Sequence, residues 1–262
     1  MQFEISHQPS YAITQVDLAA GEAVVAEAGA MVTMDPSIEI ETKAKGGFLS
    51  SLGRSVLGGE SFFLNTFKAT GGPGSVRFAP SLPGDMTVVD PGGREMLVQS
   101  GGFIAADPAL TIDTKWGGSK TFFSSEGLIM LRVQGSGPLV LASYGAMDQY
   151  ELAAGEEFIV DTGHLVAFDA SIGYQVVKAG GSLKTTMFGG EGLVTHLTGP
   201  GRFITQSRSQ DAFLSWLIPR LPSSNTSSAW ASSRTSQRGP WARASGWSVV
   251  TSCVPSDSAS AT

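Results

Sequence analysis

Cysteine is almost missing from this chain of 262 residues: Cys253 stands alone. A single thiol excludes an intramolecular disulfide and any cysteine-based metal centre, so burial and hydrogen bonding must hold the framework together. No stretch approaches the roughly 20 consecutive apolar residues that a membrane-crossing helix needs. The first residues, Met1-Gln-Phe-Glu-Ile, lack the basic start and apolar stretch of a secretory leader and already alternate like a strand. Together these absences point to a reducing, cytoplasmic setting. Positive charge is scarce too. The net charge is −6, and residues 223–262, with three arginines against one aspartate, contribute +2, so residues 1–222 stand at −8. Nucleic-acid binding draws most of its affinity from neutralised phosphates, so an acidic body argues against it.

What is present is apolar material and punctuation: 42% of residues are hydrophobic, with 33 glycines and 13 prolines. That combination suits a sizeable core built from short elements joined by tight turns. The composition breaks after Leu221-Pro222. Residues 223–262 hold 13 serines, three of the five tryptophans (Trp230, Trp241, Trp247) and no lysine. Such a segment has too little apolar surface to offset its ordering entropy. It is expected to be either a disordered tail or an out-of-frame product of a GC-rich gene end.

Internal similarity makes the remainder legible. Val16–Gly29, Val89–Gly101 and Tyr150–Gly163 align, the second being one residue shorter. Each continues from its glycine to an aspartate six residues on: Gly29 to Asp35, Gly101 to Asp107, Gly163 to Asp169. Further on, Lys45-Gly-Gly, Trp116-Gly-Gly-Ser-Lys and Ala179-Gly-Gly-Ser-Leu-Lys occupy matching turns. Gly58-Gly-Glu60, Ser124-Ser-Glu126 and Gly189-Gly-Glu191 then lead into apolar runs that end near Gly72-Pro-Gly74, Gly135-Ser-Gly137 and Gly199-Pro-Gly201. Apolar runs of four to eight residues, rich in Val, Ile and Phe and punctuated by glycine, read as short strands. The expected fold is all-β: three tandem antiparallel β-sandwich-like repeats around a pseudo-three-fold axis, spanning approximately 1–80, 81–145 and 146–208. A short closing helix fits 209–218. Ser209 would cap its free amides, Asp211 suits its positive first turn, and Pro219 would stop it. Phe213, Trp216 and Leu217 share the face expected to dock on the sheets.

Three segments carry a resemblance: Gly58-Gly-Glu-Ser-Phe-Phe-Leu-Asn-Thr-Phe67, Asp161-Thr-Gly-His-Leu-Val-Ala-Phe168 and Thr198-Gly-Pro-Gly-Arg-Phe-Ile-Thr-Gln-Ser207. The chain resembles the altered-inheritance-of-mitochondria, or mitochondrial biogenesis, family over residues 1–222 and not beyond. The resemblance implies three domains like the tryptophan RNA-binding attenuation protein, all antiparallel β. It brings no established catalytic residues. Mitochondrial members are linked with inner-membrane organisation, a role that a bacterial relative need not share.

Candidate chemistry is thin. Asp35, Asp107 and Asp169 could converge on a cation, but Asp35-Pro36 and Asp107-Pro108 are ordinary turn openings. Glu60, Glu126 and Glu191 sit between small residues before strands, where a carboxylate accepts backbone amides or faces water. His7, His164 and His196 lack metal-ligand spacing. His164 departs from its counterparts Ala30 and Gly102, so it and Asp169 mark either a ligand site or a hydrogen-bonded junction. Gly117-Gly-Ser-Lys-Thr121 lacks the spacer of a phosphate-binding loop, and Gly135-Ser136-Gly137 is a turn rather than a nucleophile elbow. No catalytic residue, cofactor or metal is expected.

The first repeat departs from the pattern between Gly46 and Gly59. Phe48, Leu49, Leu52 and Val56, followed by Leu57, give a greasy ridge near helical spacing. Exposed apolar loops mark contact sites. Self-association comes first, a foreign protein second, and a membrane surface third because Arg54 is the ridge's lone cation. The expected function is therefore a non-catalytic scaffold or interaction module that forms a homo-oligomer, the alternative being a small-ligand-binding module with sites between repeats.

Overall fold

The computed structural model describes residues 1–41, 55–57, 60–113, 130–178 and 193–222. The first repeat holds β1 (Gln2–Ser6), β2 (Ile13–Leu18), β3 (Ala23–Glu27), β4 (Met31–Met34), β5 (Ile38–Glu41), β6 (Ser55–Leu57), β7 (Glu60–Phe62), β8 (Leu64–Ala69) and β9 (Gly74–Phe78). The second holds β10 (Met86–Val89), β11 (Glu95–Gln99), β12 (Phe103–Ala106), β13 (Thr111–Asp113), β14 (Met130–Gln134) and β15 (Leu139–Ala142). The third holds β16 (Met147–Leu152), β17 (Glu157–Asp161), β18 (Leu165–Asp169), β19 (Gly173–Lys178), β20 (Leu193–Thr198) and β21 (Gly201–Gln206). Every strand pairing in these sheets is antiparallel. The all-β expectation holds.

Each repeat splits its strands between two sheets in the same order. One half-sheet runs β2-β9-β4, β10-β15-β12 or β16-β21-β18; the other runs β3-β8-β5, β11-β14-β13 or β17-β20-β19. The outer strand of the first half, β4, β12 or β18, carries a bulge at the same place each time, at Val32, Ile104 and Val166. A bulge adds one unpaired residue and re-aims the strand. β1 pairs along β2 and has no counterpart in the other repeats among the described residues.

The repeats are joined edge to edge. β12 pairs with β3, fusing half-sheets of the second and first repeats into six strands. β18 pairs with β11 and does the same for the third and second. The residues explain the burial. In β2, Thr14, Val16 and Leu18 are buried while their neighbours are not, the period-2 pattern of a strand with one wet face. β12 (Phe-Ile-Ala-Ala) and β18 (Leu-Val-Ala-Phe-Asp) have no such alternation and are buried throughout, as strands covered on both faces must be. Small Ala105 and Ala106, opposite Ala26 and Val25, let the backbones meet without a bulky ridge between the sheets.

The cores therefore straddle the joints. Val24, Phe67, Phe78 and Val76 of the first repeat pack with Met86, Ile104 and Val140 of the second. Leu97 and Met130 of the second pack with Phe168, Phe203 and Leu197 of the third. Phe67 meets Phe78 edge-on at 5.0 Å. The Gly-X-Gly turns have a steric cause. Gly137 and Gly201 adopt φ of +137° and +151°, and a Cβ on Gly201 would come within 2.8 Å of Ile172 and Ser171.

The chain divides into two compact units, Met1–Trp216 and Leu217–Thr262. The expected helix is present as α1 (Gln210–Leu217), with the Ser209 hydroxyl accepting from the Ala212 amide at 3.4 Å and Asp211 in its first turn. Its docking face falls short of expectation. No residue of α1 is buried. Phe213 touches the Tyr144 ring edge-on at 6.1 Å, whereas Trp216 stacks on Phe213 and stays 54% exposed. With every residue at least partly exposed, α1 lies on the body as a light cover. The 223–262 tail lies outside the described residues.

Candidate functional site

The apolar ridge is only partly in view. Phe48, Leu49 and Leu52 lie outside the described residues. Val56 and Leu57 lie in β6, which pairs with β7 through Val56↔Ser61 and Leu57↔Glu60. The helical spacing read for Val56 is thereby corrected: serine, the β-branched valine and leucine extend along a two-stranded ribbon. Glu126 and Glu191 also fall outside the described residues.

His164 and Asp169 are not brought together. They stand at opposite ends of β18, roughly 16 Å apart at about 3.3 Å per residue. His164 closes a 3-10 turn, Thr162–His164, and its Nδ1 lies 2.7 Å from the Gln206 carbonyl oxygen. Asp161 caps that turn by accepting from the Gly163 amide at 2.9 Å. Asp169 is 1% exposed and accepts from the Arg202 amide at 3.1 Å, from its Nε at 3.2 Å and from its Nη2 at 3.3 Å. Arg94 of the second repeat adds a charge at 3.8 Å. Hydrogen bonding to Asp169 raises the Arg202 pKa, against a smaller opposing effect of burial. His164 is thus bonded within its own repeat, and Asp169 to arginines of the second and third repeats.

The aspartates that align in sequence have separate jobs. Asp35 accepts from the Ser75 amide at 2.8 Å, Asp107 accepts from the Ala109 amide at 2.7 Å, and Asp169 holds the arginines. Among the described residues no three His, Cys, Asp or Glu side chains gather as metal ligands. A second charged cluster ties β11 to β14. Glu95 accepts from Arg132 Nη2 at 2.6 Å and from Gln134 Nε2 at 2.7 Å, with Arg132 Nε also 2.6 Å from the carboxylate. The Arg132 hydrogen bond is the main reason the Glu95 pKa is lowered.

A cleft of about 270 Å³ lies where the repeats meet, lined by Glu27, Ser81, Gln99, Ser143, Tyr144 and Gln206 among others. It is small beside the ~300–1,000 Å³ typical of ligand sites. Its best-placed polar groups serve the frame. The Gln206 amide oxygen accepts from the Tyr144 amide at 2.8 Å and its nitrogen donates to the Gly163 carbonyl at 3.0 Å. The Ser143 hydroxyl donates to the Gly145 carbonyl at 2.8 Å.

The feature that reading by residue type missed is a pair of bare sheet edges. Among the described residues β4 pairs only with β9, and β17 only with β20. On β4, Met31, Val32 and Met34 are 37%, 50% and 39% exposed; on β17, Phe158 and Ile159 are 40% and 57% exposed. Phe158 belongs to an open aromatic group with Phe203 at 5.2 Å and Tyr150 at 5.3 Å. Neither Met-Val-Thr-Met nor Phe-Ile-Val carries the lysine or proline that usually blunts an edge. The signal was available in the repeat alignment: three repeats in line make two joints and leave one edge of each kind over.

A family profile described as Mitochondrial biogenesis AIM24 matches residues 3–208. An uncharacterised protein of Streptococcus pyogenes serotype M6 is 26% identical over 233 residues, 86% of this chain and 93% of its own length. A crystal structure of a Streptococcus pyogenes protein superposes with a TM-score of 0.69 at 25% identity, covering 84% of this chain and 99% of that one.

Proposed function

We propose, for a chain that belongs to the mitochondrial biogenesis AIM24 family, a non-catalytic role as a cytoplasmic β scaffold that associates with itself and offers its outer surfaces to a protein partner. One observation carries this proposal: two apolar strand edges, β4 and β17, unpaired among the described residues, stand where the other repeats have buried joints. An exposed apolar edge with free amides and carbonyls is a template for another chain.

The polar groups support the same role by being spent. The His164, Asp169, Gln206 and Ser143 side chains each hold a turn or a joint, which leaves none of them a poised acid, base or nucleophile. That bonding also weakens the small-ligand alternative, since a ligand in the 270 Å³ cleft would have to compete for groups already satisfied. The −8 charge of residues 1–222 gives no purchase for nucleic acid. Among the described residues no helix is long and apolar enough to cross a membrane.

Light scattering on the full chain across a hundredfold concentration range tests self-association. The expected result is a mass that grows with concentration beyond one chain. A single-chain mass at every concentration would remove self-association from the proposal.

A further inference from the structure

The two bare edges are complementary halves of one joint. At the existing joints the register is the same: Ala105↔Ala26 and Ala106↔Val25 between the second and first repeats, Ala167↔Val98 and Phe168↔Leu97 between the third and second. Met96↔Asp169 extends the latter by one pair. Aligning the repeats places Thr33 with Ala105 and Ala167, and Met34 with Ala106 and Phe168. The same alignment places Ile159 with Val25 and Leu97, and Val160 with Ala26 and Val98.

We infer that β4 of one copy of this chain pairs antiparallel with β17 of a second copy, head to tail, in the register Thr33↔Val160, Met34↔Ile159 and Asp35↔Phe158. This rests on the self-association proposed above and specifies its surface. Exposure supports it position by position. Met31, Val32 and Met34 are at least 37% exposed, while their counterparts Phe103, Ile104, Ala106, Leu165, Val166 and Phe168 are at most 2% exposed. Phe158 and Ile159 are at least 40% exposed, while Val24, Val25, Met96 and Leu97 are at most 4% exposed. The bulge that shapes β12 and β18 for their partners is already formed in β4 without one. The edge is built for a strand that the described sheets of the chain do not supply.

Head-to-tail pairing has a consequence that a two-fold contact lacks. Every added copy presents the same pair of edges again, so assembly proceeds to a closed ring or a filament according to the rotation between copies.

Cysteine cross-linking decides it. In a Cys253→Ser background, one chain carries Met34→Cys and another Ile159→Cys, both at exposed positions. Mixed and oxidised, the two should give a disulfide-linked dimer, and neither should do so alone. A Met34→Cys plus Glu157→Cys mixture, off register by two residues, should give several-fold less. A dimer from Met34→Cys chains alone would overturn the proposal in favour of a two-fold β4 contact. A double variant (Met34→Cys with Ile159→Cys) that forms its disulfide within one chain would overturn it in favour of closure on itself. Scattering on the same samples separates the two claims. Oligomers without the cross-link leave self-association standing and this joint disproved, whereas single chains throughout remove both. Ile159→Lys supplies a second readout: single-chain mass with an unchanged β-type circular dichroism spectrum is expected, and undiminished assembly would count against the joint.

Discussion

The two internal joints share a register but are sealed differently. Between the first and second repeats, β3 and β12 meet through two residue pairs built from alanine and valine. Between the second and third, β11 and β18 meet through three pairs, and the third places Asp169 opposite Met96. Asp169 aligns with Asp107 and Asp35, both of which spend their carboxylates on backbone amides in wetter surroundings. Only the third copy is sunk to 1% exposure and held by Arg202 and Arg94. Alanine pairs let strands meet by close approach alone. Where Phe168 faces Leu97, the larger side chains are accompanied by a buried charge, which Arg202 holds within the third repeat and Arg94 ties to the second. The same backbone thus supports a dry seam, a charged seam and, at β4 and β17, no seam among the described residues.

The largest effect should come from contrasting a sealed position with its open equivalent. Phe168 is fully buried and Met34, its counterpart, is 39% exposed. Phe168→Ala should cost about 3–5 kcal/mol, the transfer term plus a cavity. Met34→Ala should cost under ~0.5 kcal/mol when measured at high dilution, where neighbouring copies do not contribute. Urea midpoints report both. A Met34→Ala loss as large as that of Phe168→Ala would show that β4 is already covered within the single chain.

Next in size is the aspartate pair. Asp169→Ala removes a buried acceptor from the Arg202 amide and guanidinium and should cost about 2–4 kcal/mol, because the partners lose their bonds in a poorly hydrated place. Asp107→Ala loses one bond to the Ala109 amide at the surface and should cost about 0.5–1 kcal/mol. Equal losses would mean that the two seams are sealed alike and that the ion pair adds nothing particular to the second.

Much of this was legible in the sequence, and the parts that were not have physical reasons. The all-β class and its strands followed from glycine spacing and apolar runs, because turns and pleats impose local periods. Ser209 was readable as a cap because capping is decided within one turn. Asp169 could not be separated from Asp107 and Asp35, since its burial depends on Arg94 and Arg202, distant in sequence and near only after folding. Val56 was read on helical spacing, yet a three-residue apolar pattern fits a strand as well, and pairing with β7 decided it. The bare edges were hidden for a different reason. Met-Val-Thr-Met looks like any buried strand, so composition alone does not tell which repeat lacks a neighbour.

The smallest effect concerns Glu95, which gives the second repeat an acid sensitivity that its aligned position in the first, Ala23, has no group to share. Hydrogen bonding to Arg132 holds the Glu95 pKa below its ordinary 4.5, burial opposes this, and Gln134 adds to the lowering. A carboxylate with a depressed folded pKa stabilises the fold fully above its unfolded pKa, and that contribution fades as pH falls through the folded value. The pair is partly exposed, with Glu95 at 24% and Arg132 at 35%, so solvent screening limits its worth to about 0.5–1 kcal/mol. Glu95→Gln should therefore lose about that much at pH 7, while toward pH 3 the difference from the parent should shrink, since protonation of Glu95 leaves both chains with a neutral side chain there. Other carboxylates titrate in both chains and cancel in the difference. If the gap between the two urea midpoints stays constant from pH 7 to pH 3, the Glu95–Arg132 contact acts through shape rather than charge, and the second repeat is no more acid-sensitive there than the first.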